Sequence, residues 1–183
     1  TVPCITTYIK EPSVDATKAE MDTIVSEATE SINKKLAGST FRYQTIKEIH
    51  DYICNSTSYA KSNTTSSEYQ SAYSAFRDAN GDGTVETVCA GYSRGFKLLC
   101  DAYGIPCVLV TGVTDTGGAH MWDLVQMEDG IWYGVDATWD DQTGRTYYDF
   151  FLVGYATKPD HFAKTDFGSC HIAEGAWDAN GAY

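Results

Sequence analysis

Three residues of this chain have the types and settings for nucleophilic chemistry: Cys89, His120 and Asp136. Cys89 stands at the head of VCAGYSRGFKLL, Val88–Leu99, where Tyr92, Phe96, Leu99 and Tyr103 recur on one face of a helical period. Gly104 is a stop signal for that helix, and Pro106 lies just beyond it. A thiol at a helix N-terminus meets unpaired backbone N–H groups and the positive end of the helix dipole. Both favour the thiolate, which is the nucleophilic form. Taken alone, the stretch reads more simply as a packing helix that begins with a small, buried, apolar cysteine.

The partners come from a hairpin. Cys107–Val113 reads as a buried β-branched strand, and Ala119–Met127 and Ile131–Thr138 read as two more strands around Glu128-Asp129-Gly130. Their register decides whether His120 and Asp136 meet. A two-residue Asp129-Gly130 turn sets Asp136 opposite Asp123 and leaves His120 on the other face. A three-residue loop pairs Met127 with Ile131, sets Asp136 opposite Trp122, and makes it the diagonal neighbour of His120. Diagonal neighbours lie about 7–8 Å apart, within reach of a His–Asp hydrogen bond. The longer loop requires a left-handed third residue, which Gly130 supplies.

That register also sorts the faces. Met121, Val125, Met127, Ile131, Tyr133, Val135 and Ala137 form a core face with one intruder, Asp123. His120, Trp122, Gln126, Trp132, Gly134, Asp136 and Thr138 form a site wall. Thiol, imidazole and carboxylate then make a nucleophilic triad by role: attack, proton transfer and orientation of the imidazole. The Cys89 backbone N–H is the candidate oxyanion donor. Tyr92, Trp122 and Trp139 are the candidates for substrate binding and a second donor.

The elements that must hold this constellation are legible to different degrees. Ser13–Leu36 reads as an amphipathic helix, capped by Ser13 or Asp15, with a stripe of Met21, Ile24, Val25, Ala28, Ile32 and Leu36 and a stop at Gly38. Ile46–Ile53 reads as a second helix, with His50 at its boundary. Asn55–Glu68 reads as a polar loop with N-x-T sequons at Asn55 and Asn63. Glu68–Phe76 is expected to be a short helix. Asp78, Asn80, Asp82 and Gly83 match the first half of a calcium loop, but the twelfth position is Cys89 where a bidentate Glu belongs. The stretch therefore reads as a polar Gly-rich turn, with calcium as the alternative. Tyr147–Val153 reads as a strand, and Ala156–Tyr183 is a Gly- and Ala-rich tail in which His161 and His171 read as surface or packing residues.

The totals are consistent with one domain: 183 residues carrying a net charge of −12. That charge argues against nucleic-acid partners, and no apolar run is long enough for membrane insertion. Neither a Cys-x-x-Cys pair nor a Cys/His cluster has zinc spacing, so no metal is expected beyond the calcium alternative. With Cys89 free, five of the six cysteines remain (Cys4, Cys54, Cys100, Cys107 and Cys170), enough for two disulfides at most. Cys100 and Cys107 flank the turn after the central helix and are placed to approach one another. The abrupt start at Thr1 is consistent with a removed leader.

VCAGYSRGFKLL, GIPCVLVTG, HMWD and YGVDATWDD, in that order, resemble the transglutaminase-like superfamily, whose pattern runs C-x-G-Y, H-x-W-N and V-D-x-T-W-D. IHDYICNSTSYA (Ile49–Ala60), SAYSAF (Ser71–Phe76) and YYDFFLVG (Tyr147–Gly154) extend the likeness to roughly Phe41–His171. The bacterial, secreted or surface-attached branch looks closest. The resemblance implies an α+β, papain-like fold with the cysteine helix packed on an antiparallel sheet, residues 41–183 forming the catalytic domain and residues 1–40 a helical extension packed on it. It implies acyl transfer through a thioester on protein or peptide amides, with Cys89 as nucleophile, His120 as base and Asp136 as orienter, and an extracellular or cell-surface location. Two departures stand out. Asp123 replaces the usual Asn beside the base, and DANGDGTVE before the cysteine is longer than usual. Hydrolysis of peptide or cell-wall amides, and a non-catalytic surface module that keeps the fold, are the alternative functions.

Overall fold

A computed structural model describes residues 18–62, 64–157, 161–163 and 170–178 of the chain. Helix α1 spans Lys18–Leu36 and buries Ile24, Ala28 and Ile32, the centre of the expected stripe. Ser13 and Asp15 lie outside the described residues. The helix ends where Ala37 and Gly38 both take positive φ, 49° and 89°. Helix α2, Arg42–Ser56, turns Ile46, Ile49 and Ile53 to the same core. Helix α3, Cys89–Ala102, adds Tyr92, Phe96 and Leu99, all completely buried. Each such side chain contributes about 1.5–3 kcal/mol on leaving water.

These helices pack on a five-stranded, wholly antiparallel sheet. Its strands, in chain order, are β3 (Cys107–Thr114), β4 (Ala119–Gln126), β5 (Trp132–Val135), β8 (Phe151–Val153) and β9 (His161–Ala163), and their spatial order is β8-β5-β4-β3-β9. Two short pairs stand apart: β1 (Ser58–Tyr59) runs parallel to β2 (Glu86–Thr87), and β6 (Asp141–Gln142) pairs with β7 (Arg145–Thr146). The architecture is the α+β, antiparallel one that the sequence implies.

The hairpin has the three-residue register. Asp123 pairs with Val135 and Gln126 with Trp132, so the levels continue to Trp122 and Asp136. The Met127 N–H donates to the Ile131 carbonyl at 3.0 Å, and Gly130 sits at φ +80°. Val125, Met127, Tyr133 and Val135 join the helical core. The opposite face is no open wall along its length. Trp122, Leu124 and Trp132 join Val110 in a second small core, covered by Cys170 and Ile172 of the tail.

Several segments depart from expectation. Strand β5 stops at Val135 rather than Thr138, because Asp136 caps a single helical turn, α4 (Ala137–Asp140). Of Tyr147–Val153 only Phe151–Val153 is strand. Residues Glu68–Phe76 form two 3-10 turns, Ser67–Gln70 and Tyr73–Ala75, rather than one helix. The five described cysteines, Cys54, Cys89, Cys100, Cys107 and Cys170, are all free thiols, although Cys100 and Cys107 do touch. No described helix is long and apolar enough to cross a membrane.

Candidate active site

The tip of α3 is fixed by a close approach. Val88, extended at φ −112° and ψ 178°, precedes the helix, and its N–H donates to the Tyr69 carbonyl at 3.2 Å. The Thr87 hydroxyl donates to the same carbonyl at 2.8 Å and meets Ser74 Oγ at 2.6 Å. Gly91 lies against this knot. A Cβ there would fall 1.8 Å from Thr87 Oγ1 and 2.9 Å from both Ser74 Oγ and the Tyr69 carbonyl oxygen. Glycine at this position lets the first turn of α3 seat fully, and the turn carries Cys89. Cys89 is partly exposed, and its thiol lies close enough to the imidazole of His120 to favour the imidazolium.

His120 enters near the start of β4, paired across the sheet with Gly112. Its ring stacks on Trp122 at 6.0 Å and 21°, with Trp139 at 5.4 Å. Nε2 of His120 donates to Asp136 Oδ2 at 2.6 Å. Asp136 Oδ1 accepts from the backbone N–H groups of Thr138 and Trp139 at 2.9 and 3.2 Å, the geometry of an N-cap. Oδ2 accepts a second imidazole as well: Nε2 of His161, on β9, at 2.9 Å.

Four N–H donors therefore meet one buried carboxylate. Burial alone would push its pKa up, but the imidazoles outweigh burial and hold it below the usual carboxylate value. Burial likewise works against the His120 imidazolium, and Asp136 and Cys89 outweigh it, raising its pKa to about 9. A recess lined by Trp122, Leu124, Phe150 and Ile172 reaches Asp136 and His161 and keeps their surroundings largely apolar. Candidate ligand atoms of His120, Asp136 and His161 lie within 4.8 Å of one another, close enough to share an ion. Both Oδ2 contacts are already filled by imidazole nitrogens, so the carboxylate leaves no orphaned acceptor there for a metal.

The structure thus brings Cys89, His120 and Asp136 together. It does not bring Tyr92 to the cleft. That side chain is 1% exposed and its hydroxyl donates to Asp141, which corrects the expectation that it touches substrate. Trp122 is buried behind His120, and Trp139 is the partly exposed one of the pair. Asp123 faces α3, away from His120, with Cys107 Sγ at 3.6 Å and Ser93 as a further partner. Burial drives its carboxyl well above the ordinary pKa. In the candidate calcium loop, Asp78 accepts from the Gly81 and Gly83 amides at 2.7 Å each, and Asp82 accepts from Thr84. Those side chains hold the turn itself.

Two histidines read as bland from sequence are not. His161 was missed because the tail has no periodicity. Its one signal is that it is one of two histidines, with His171, downstream of the V-D-x-T-W-D run. His50 is completely buried, with Nε2 3.1 Å from Asp140 Oδ2 and Nδ1 3.3 Å from Asp51. It braces α4 from behind.

A sequence model of the transglutaminase-like superfamily matches residues 30–137. The chain belongs to that superfamily. Among solved structures, this transglutaminase-like chain is similar to a TGase, with 19% identity and a TM-score of 0.50 over 68% of this chain and 34% of that one. It is also similar to a candidate cysteine protease from Cytophaga hutchinsonii, with 22% identity and a TM-score of 0.47 over 69% of this chain and 44% of that one. The chain thus aligns with less than half the length of either structure. No curated protein matches it. The superfamily match ends at Ala137, short of β9 and His161.

Proposed function

We propose that the protein catalyses acyl transfer through a thioester on protein or peptide amides. Cys89 attacks the amide carbon, and His120 takes the thiol proton and passes it to the leaving amine. Asp136 holds the imidazole in the required tautomer. A second amine, or water, then releases the acyl group. The groups present serve as nucleophile, acid–base and orienter, so the chemistry is complete without a cofactor. The observation that carries this reading is the buried His120–Asp136 pair, closed at 2.6 Å, with the partly exposed Cys89 beside the same imidazole. The partial exposure of Cys89 favours chemistry over a silent module. An extracellular or cell-surface setting, with residues 41–183 as the catalytic unit, belongs to the same proposal.

The test is incubation with a glutamine-containing peptide, with and without a primary amine, followed by mass spectrometry against a Cys89→Ala control. Amine incorporation supports transfer. Deamidation or cleavage alone assigns the thioester to water, the peptidase alternative. The absence of any product beyond the control refutes the reading.

A further inference from the structure

We propose that His161 is a positioning residue of the active site, a fourth member that keeps Asp136 ionised and aimed at His120. The inference rests on the thiol-based reading above. Asp136 is 3% exposed, and its two oxygens have separate duties. Oδ1 is tied to the backbone of α4 at 2.9 and 3.2 Å. Oδ2, the oxygen that serves His120, has no backbone donor among the hydrogen bonds of the described residues. It is steadied instead by His161 Nε2 at 2.9 Å. His161 is itself pinned, with Trp122 at 4.9 Å and Trp139 at 4.6 Å, both edge-on. Strand β9 carries it in by pairing with β3 at the sheet edge, Thr114 opposite His161.

A buried carboxylate stays charged only while donors replace the water it has lost. The donor on Oδ2 is charge-assisted and thus stronger than a neutral pair. Without it, Oδ2 has His120 alone. Asp136 then drifts toward its neutral form, His120 loses the charge that sustains its imidazolium, and Cys89 loses its charged neighbour. Among the described residues, the other titratable groups within electrostatic reach of this set are Cys89 from α3, Tyr59 from β1, Asp123 from the far face of β4 and Asp140 from α4. All four remain in the variants below.

The test compares His161→Gln, which keeps an N–H donor, with His161→Leu, which keeps bulk without one. Cys89 alkylation by iodoacetamide is followed at pH 6 and at pH 10, with a thermal melt as the folding control. His161→Leu is expected to slow alkylation at pH 6 by at least about tenfold, the scale of one hydrogen bond to a charged group. It should leave the rate at pH 10 within about twofold, because an unaided thiol is ionised there. His161→Gln should recover most of the pH 6 rate. Equal rates for both variants at pH 6, or an equal loss at both pH values, overturn the proposal. Should the unaltered protein react at pH 6 no faster than a model thiol, the nucleophile reading itself fails, and that outcome is distinct from a failure at His161.

Discussion

Gly91→Ala tests how tightly the cysteine-bearing helix α3 is seated. The added methyl would sit 1.8 Å from Thr87 Oγ1, roughly half of an ordinary van der Waals separation. Thr87 cannot swing aside cheaply, because its hydroxyl is fixed at 2.8 Å to the Tyr69 carbonyl and at 2.6 Å to Ser74. Either that buried pair of hydrogen bonds breaks or the first turn of α3 shifts. Overpacking typically costs about 1–3 kcal/mol, and one lost buried hydrogen bond adds about 1 kcal/mol. The sum, about 3 kcal/mol, is a large part of the total stability of a domain this size. It should lower the melting temperature by about 6–12 °C. Because Cys89 rides on the same turn, iodoacetamide reactivity at pH 6 should fall as well. The decisive assay is a double-mutant cycle with Thr87→Ala, by urea denaturation. Removing Oγ1 should recover part of the loss, while Ser74 Oγ and the Tyr69 carbonyl, each 2.9 Å from the new methyl, prevent full recovery. A Gly91→Ala protein that melts and reacts like the unaltered one would refute the close approach and the account of helix seating built on it.

Asp136→Asn keeps the side-chain shape but removes the charge, and one face of the amide must oppose an N–H donor. Alkylation at pH 6 should fall by about 10²–10⁴, read by stopped-flow kinetics, while far-ultraviolet circular dichroism is unchanged. The His120 ring proton signal should titrate near pH 9, and an inflection near 6.5 would contradict the ion-paired geometry. The sign of the linkage follows. Since the folded pKa is raised, the stabilisation by this imidazolium is complete below about pH 6.5 and is lost as pH climbs through about 9. His50→Leu takes the imidazole from Oδ2 of buried Asp140, whose Oδ1 keeps the Phe150 N–H at 3.0 Å, and should cost about 3 kcal/mol in urea denaturation, the low end of the penalty for breaking a buried pair.

Much of the site was legible because its determinants are local. Tyr92, Phe96 and Leu99 announce α3 by their period, and a single glycine, Gly130, selects the register that sets Asp136 beside His120. What escaped depends on distant partners. His50 finds Asp140 ninety positions away, so an imidazole in an isoleucine stripe could not disclose its carboxylate. His161 reaches Asp136 only because β9 adds to the sheet edge beside β3, a pairing set by tertiary packing rather than by alternation within three residues. Tyr92 shows the converse. Its place in the stripe correctly implied burial, and the expectation that it also contacts substrate asked one side chain to face two ways. Asp136 was placed correctly but in the wrong element: the D-A-T-W run was a cap signature inside what read as a continuous strand.

The cap at Asp136 bears on how related chains should be read. One of its oxygens begins a helix and the other binds the imidazole, so the position has a folding duty independent of the proposed chemistry. A lineage that lost the thiol would still benefit from an aspartate there, because α4 would still require its start. Retention of this aspartate in a descendant is therefore weak testimony of activity. The residues at positions 89 and 120 are the ones to inspect.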